Sequence, residues 1–144
     1  MYGLPQTLKH LSPAEERVLL AVWAAGDGAA ACRADIAAAL PADTPRWTDA
    51  TLLNFLYRLE EKGWLKAGKA GNRNLYTPTV TRRAYGVAVM RERLDTLFGG
   101  DLAGAVYALV SETGASEAQL IRARTVLEEK IAAAAEYDLY DPYG

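Results

Sequence analysis

The chain has 144 residues, about half of them apolar, and a formal net charge of −2. That length suits one domain, or a small domain with an appendage, and the composition supports a packed core rather than a disordered polymer. The charge excludes a global basic field as the basis of nucleic-acid binding, and the single cysteine, Cys32, excludes an internal disulfide framework or a multi-cysteine metal site.

In chain order, Ser12-Pro13-Ala14-Glu15 is a capping box with proline at the first helical position, with Leu11 placed to staple the entry. Val18, Leu19, Val22 and Trp23 give the apolar face of this first helix, and "AAGDG" ends it. A shorter helix is expected over about 33–40, closed by Pro41, and "PADTPRW" leads into a third. There, "WTDATLLNFLYRLEEKGWL" offers Thr48 or Asp49 as N-cap and a buried stripe of Leu52, Leu56 and Leu59 with Phe55 beside it. Gly63 is the left-handed stop. Next, "WLKAG" and "NLYTPTV" are short extended runs around "KAGN", a β-hairpin with Lys69 and Arg73 flanking its tip.

From Thr81 the helical period returns through Tyr85, Leu94, Leu97 and Phe98 to Gly99-Gly100. A short helix follows in "DLAGAVYALVSE", and a last one starts at a Ser116–Gln119 capping box and runs to about Ala135. The tail carries Tyr137, Tyr140 and Tyr143. The expected fold is mainly α with a small β-hairpin: a winged helix-turn-helix for DNA binding over 1–80, a helical dimerisation region over 81–135, and a flexible tail over 136–144.

The charge distribution is more informative than the total. Residues 46–73 hold six basic side chains (Arg46, Arg58, Lys62, Lys66, Lys69, Arg73) against three acidic ones (Asp49, Glu60, Glu61). On the third helix, the face away from the leucines carries Thr48, Thr51 and Asn54. Asn can pair bidentately with adenine, Thr offers a hydroxyl and a methyl, and Leu53 is suited to a thymine methyl. Arg46, Arg58, Lys69 and Arg73 are the expected phosphate contacts, which position without specifying sequence. Leu94, Leu97, Phe98, Leu102, Val106, Leu109, Leu127 and Ile131 exceed what one copy of the C-terminal helices can cover, so they are the expected homodimer interface.

One histidine, one cysteine and no glycine-rich phosphate loop after a strand argue against an enzyme, and no cofactor or metal is expected. No apolar run approaches the ~18 residues of a membrane span. The N-terminal "MYGLPQTLKH" lacks the apolar stretch of a secretory signal, so a cytoplasmic protein without membrane insertion is expected.

These segments, in this order, resemble the penicillinase-repressor (BlaI/MecI/CopY-type) family of bacterial transcriptional repressors. "LSPAEERVLLAVW" is similar to that family's opening helix, "WTDATLLNFLYRLEEKGWL" to its recognition segment, "GNRNLYTPTV" to its wing, and "LDTLFGGDLAGAV" to its glycine turn. The resemblance covers about residues 8–130. It implies a repressor that binds inverted-repeat double-stranded DNA as a homodimer, with a membrane sensor protease as an upstream partner in the resistance branch. The chain departs from that branch at Ala50, where a lysine is common, and at Leu53, where Gln or Arg is frequent. No Asn-Phe bond lies between Arg82 and Phe98, and the copper branch's C-terminal cysteines are absent. The alternatives are a PadR- or MarR-like ligand-responsive regulator, and a winged helix that docks protein instead of DNA.

Overall fold

Ser12 starts the first element as its spacing predicts. In the computed structural model, which describes residue 4 and residues 10–139 with side chains to residue 136, the Glu15 N–H donates to Ser12 Oγ at 3.2 Å. The Ser12 N–H donates to Glu15 Oε1 at 2.9 Å. Helix α1 (Pro13–Gly26) follows, then β1 (Ala31–Cys32), α2 (Arg33–Ala39), α3 (Asp49–Glu61), β2 (Leu65–Ala70), β3 (Arg73–Pro78), α4 (Arg82–Phe98), α5 (Leu102–Glu112) and α6 (Glu117–Leu139). The chain divides into two compact units, Met1–Arg93 and Leu94–Gly144.

The first unit is a winged helix-turn-helix. Val18, Leu19 and Val22 of α1 meet Ile36 of α2 and Leu52, Leu56 and Leu59 of α3 in one core, with Trp64, Leu65 and Tyr76 closing it from the sheet side. Leu52, Leu56 and Leu59 are each at most 2 % exposed, so burying each contributes roughly 2 kcal/mol and fixes which side of the helix turns outward. Gly63, at φ 88°, ends α3 in a conformation that costs a glycine nothing. The Trp64 N–H then donates to the Leu59 carbonyl at 2.9 Å.

The expected hairpin is larger and tighter than its sequence suggests. β1 adds a third strand on the far side of β3, through Ala31↔Tyr76 and Cys32↔Leu75, giving the antiparallel order β1-β3-β2. Two residues carry no periodicity, so pairing with β3 makes this strand. The tip is Gly71-Asn72 alone, since Ala70 pairs with Arg73. Gly71 has φ +63° and Asn72 is not among the positive-φ residues, which suits a two-residue turn with glycine first.

Glu15 has a second task. Only 3 % exposed, it accepts from Lys62 Nζ at 2.7 Å, and the same ammonium donates to the His10 carbonyl at 3.1 Å. This pair joins the start of α1 to the end of α3. Burial pushes the Glu15 pKa up, but hydrogen bonds from Lys62 and Ser12 outweigh it and leave the carboxyl below its ordinary 4.5.

In the second unit, Gly99 and Gly100 both take positive φ and Asp101 caps α5 through the Gly104 N–H at 3.0 Å. A Cβ at Gly104 would lie 2.2 Å from the Asp101 carboxylate, so a larger residue there would make the capping side chain turn. The Ser116–Gln119 capping box forms at the start of α6. That helix runs on to Leu139, so the stretch expected to be a tail from 136 begins as helix. Tyr140, Tyr143 and the side chain of Tyr137 lie outside the described residues.

Glu15→Gln keeps the shape of the buried side chain and removes its charge. The variant should lose about 2 kcal/mol at pH 7, the scale of hydrogen bonds to a charged partner. Because the folded-state pKa is depressed, that stabilisation is present above 4.5 and lost as pH falls through the lower folded value. Denaturant titrations at pH 7 and pH 3 should therefore show the gap between parent and variant shrinking in acid.

Candidate nucleic-acid interface

With its leucines inward, α3 presents a defined outer face. Of the two candidate caps, Thr48 takes the role: its Oγ1 accepts from the Thr51 N–H at 3.1 Å, and the two hydroxyls sit 3.0 Å apart. Thr51 is half-buried, while Asn54 is exposed. At 3.6 residues per turn, the positions turned furthest from Leu52, Leu56 and Leu59 are Ala50, Asn54, Tyr57 and Glu61, with Leu53 on the flank about 90° from the leucine stripe. Leu53 is 40 % and Tyr57 60 % exposed.

Cationic side chains surround this face. Arg46 precedes the helix, and with Thr48 and Asp49 it lines a cleft beside the helix-turn-helix loop. Arg73 and Leu53 share a second cleft with Arg33, Asn72 and Asn74, between α3, the start of α2 and the wing. Lys69 pairs across the ladder with Asn74, one step from the tip. Arg58 is exposed, with its guanidinium 5.6 Å from the centroid of the Phe55 ring. That ring in turn packs on Trp47 at 4.7 Å. From Ala67 to Asn74 the wing is exposed on both faces, so its outer half is free to meet a ligand.

The acidic groups are partly accounted for. Asp49, in the first turn of α3, pairs with Arg33 at 2.8 Å. Asp43, in the turn between α2 and α3, holds Arg17 of α1 through two hydrogen bonds of 2.7 and 3.1 Å. Hydrogen bonding to Glu61, followed by the field of that carboxylate, pushes the Tyr57 hydroxyl above its ordinary pKa. Arg33, Asn72, Asn74, Ala50 and Tyr57 were not expected here from the sequence. The helical period could have placed Ala50 and Tyr57. Nothing local announces Arg33, whose pairing with Asp49 spans the α2–α3 segment.

The penicillinase repressor family model matches residues 11–129. The chain belongs to the penicillinase repressor family. It is a DNA-binding transcriptional repressor carrying a winged helix. Among solved structures, the DNA-binding domain of the repressor BlaI is similar at 28 % identity, covering 59 % of this chain and 94 % of that one, with a TM-score of 0.43. Bordetella bronchiseptica BpsR, solved in work on the regulation of its DNA binding by 6-hydroxynicotinic acid, is 20 % identical. It covers 88 % of this chain and 81 % of that one, with a TM-score of 0.41. No curated protein matches the chain.

The cap gives this repressor a test separable from DNA binding. Thr48→Ala should cost about 1 kcal/mol of folding stability, whereas Thr48→Ser, which keeps the acceptor, should cost a few tenths. Equal denaturation midpoints for all three proteins would show that the Thr48 hydroxyl does not cap α3.

Proposed function

We propose that the repressor binds an inverted-repeat operator as a symmetric homodimer, laying α3 of each copy in a major groove. Asn54, with Thr48, Thr51 and Leu53, reads base edges, and Arg46, Arg58, Lys69 and Arg73 hold phosphates. The observation that carries this reading is the ring of exposed cations around the outer face of α3: Arg46, Lys69 and Arg73 have no ion-pair partner among the described residues. Exposed cations of this kind suit a phosphate backbone.

A second surface supports the homodimer. Among the described residues of the second unit only Ala105 is buried. Leu97, Phe98, Leu102, Val106, Leu109, Leu127 and Ile131 are each 37 % exposed or more, and Leu94 is half-buried. An apolar surface this extensive favours a second copy of itself. Two-fold pairing of winged helices in turn favours a palindromic site with half-sites about one or more helical turns apart.

Arg73→Ala tests the phosphate assignment. It removes about two contacts per dimer, so the slope of log affinity against log salt should flatten by about 1.8. Specific and random duplexes should weaken alike; weakening of the specific site alone would make Arg73 a base reader.

Asn54→Ala tests the reading head, and light scattering on the same samples tests the dimer. The substitution should cost about 1–3 kcal/mol on the selected operator, with random-sequence affinity nearly unchanged. Discrimination should fall at one symmetric pair of positions. Full retention of discrimination would remove Asn54 from the reading set, and a monomer that binds DNA normally would remove the dimer.

A further inference from the structure

One flank of the outer face of α3, beside Asn54, offers a base almost nothing to hydrogen-bond. Ala50, Leu53 and Tyr57 stand at i, i+3 and i+7 and form an exposed stripe along that flank, with Leu53 about a quarter-turn from the buried leucines. The core does not need them, because Leu52, Leu56 and Leu59 already complete the inward stripe at 2, 0 and 0 % exposure. All three are exposed. The one polar atom among their side chains, the Tyr57 hydroxyl, is engaged by Glu61 one turn on.

We propose that Ala50, Leu53 and Tyr57 form a thymine-methyl reader, so that operator half-sites are selected for thymines facing this stripe. The inference rests on the proposed DNA interface and deepens it. The major-groove edges of the bases present donors and acceptors, and the one apolar group among them is the C5-methyl of thymine. A polar base edge held against Ala50 or Leu53 would lose its water and gain no partner, which disfavours G·C pairs there. A methyl held against them loses apolar surface to a matching apolar surface.

The dimensions agree with a short run of bases. Seven residues at ~1.5 Å each place Ala50 and Tyr57 about 10 Å apart along the helix axis, close to three base steps of ~3.4 Å. Leu53 sits between them, on the side shared with Arg73 and Arg33 in the cleft toward the wing. Cations that hold the backbone thus lie beside the stripe. That charge complementarity favours DNA over a protein partner as the occupant.

The test uses the full chain and duplexes that differ only in methyl groups. A pool of random duplexes is first enriched on the protein to obtain a preferred site. That site is then prepared with deoxyuridine in place of each thymine in turn, which removes the methyl and leaves every hydrogen-bonding group. Each buried methyl should be worth about fourfold in affinity, and a symmetric pair about fifteenfold. Leu53→Ala should close the thymine–uracil gap at one symmetric pair of positions, and Tyr57→Ala should close it at another. Both side chains are exposed, and circular dichroism of the variants should match the parent.

If thymine and uracil duplexes bind alike while Asn54→Ala still abolishes discrimination at its own position, the methyl reader is overturned and the DNA interface stands. If no duplex is enriched from the pool, the DNA interface falls and this inference falls with it.

Discussion

The geometry of the first unit depends on one aromatic stack. Tyr85 of α4 lies between Trp23 of α1, with ring centroids 5.6 Å apart, and Trp64, which meets it edge-on at 5.4 Å. Each ring is anchored to something else. The Trp23 indole N–H donates to the Val80 carbonyl at 3.0 Å, where β3 gives way to α4. The Tyr85 hydroxyl donates to Glu16 of α1. Trp64 sits one residue past the stop of α3, and its carbonyl accepts from the Thr79 N–H at 3.0 Å. The stack therefore ties α1, the end of α3, both ends of the wing and the start of α4 to one point. Aromatic pairs of this kind add about 0.5–1.5 kcal/mol each beyond their burial, but their larger effect is angular. With Trp64 held, the wing cannot swing independently of α3.

That rigidity allows the proposed interface to be assembled from residues far apart in sequence. Arg33, Asp49, Leu53 and Arg73 come from two helices and the start of β3, and the Arg33–Asp49 pair keeps the acidic first turn of α3 from standing alone. The Glu15–Lys62 pair does the equivalent work at the other end of the helix. The helix is thus held at both termini by charge and along its length by leucines. Ala50, Leu53 and Asn54 on its outer side are exposed and outside the core, so these side chains are free to be chosen for what they touch.

Much of this was legible in the sequence because it is local. The Ser12–Glu15 box, the leucine period of α3, the Gly63 stop and the Ser116–Gln119 box each depend on residues within one or two turns. Family resemblance extended that reading to the order of the elements. What escaped depends on distant partners. β1 exists because Ala31 and Cys32 pair with Tyr76 and Leu75, and two residues have no pattern of their own. Arg33 enters the candidate site only because the fold sets α2 beside the wing. Tyr57 is a different case. The helical period puts it near Asn54, but aromatic residues are ordinarily assigned to cores, and only the burial of the leucine stripe shows that this one is not needed there.

The local excess of basic side chains over residues 46–73 of a net-acidic chain has a kinetic consequence for the proposed interface. Residues 81–144 carry seven basic against ten acidic side chains, so they add no net attraction for a polyanion to that of the proposed α3–wing interface. Encounters with a duplex are then steered mainly by the local charge of that proposed interface. Loose adhesion to the great excess of irrelevant sequence is correspondingly weak, which leaves more of a scarce regulator unoccupied. Search time is then governed less by sliding while attached than by repeated, well-aimed collisions, and it shortens or lengthens with the ionic strength of the surroundings.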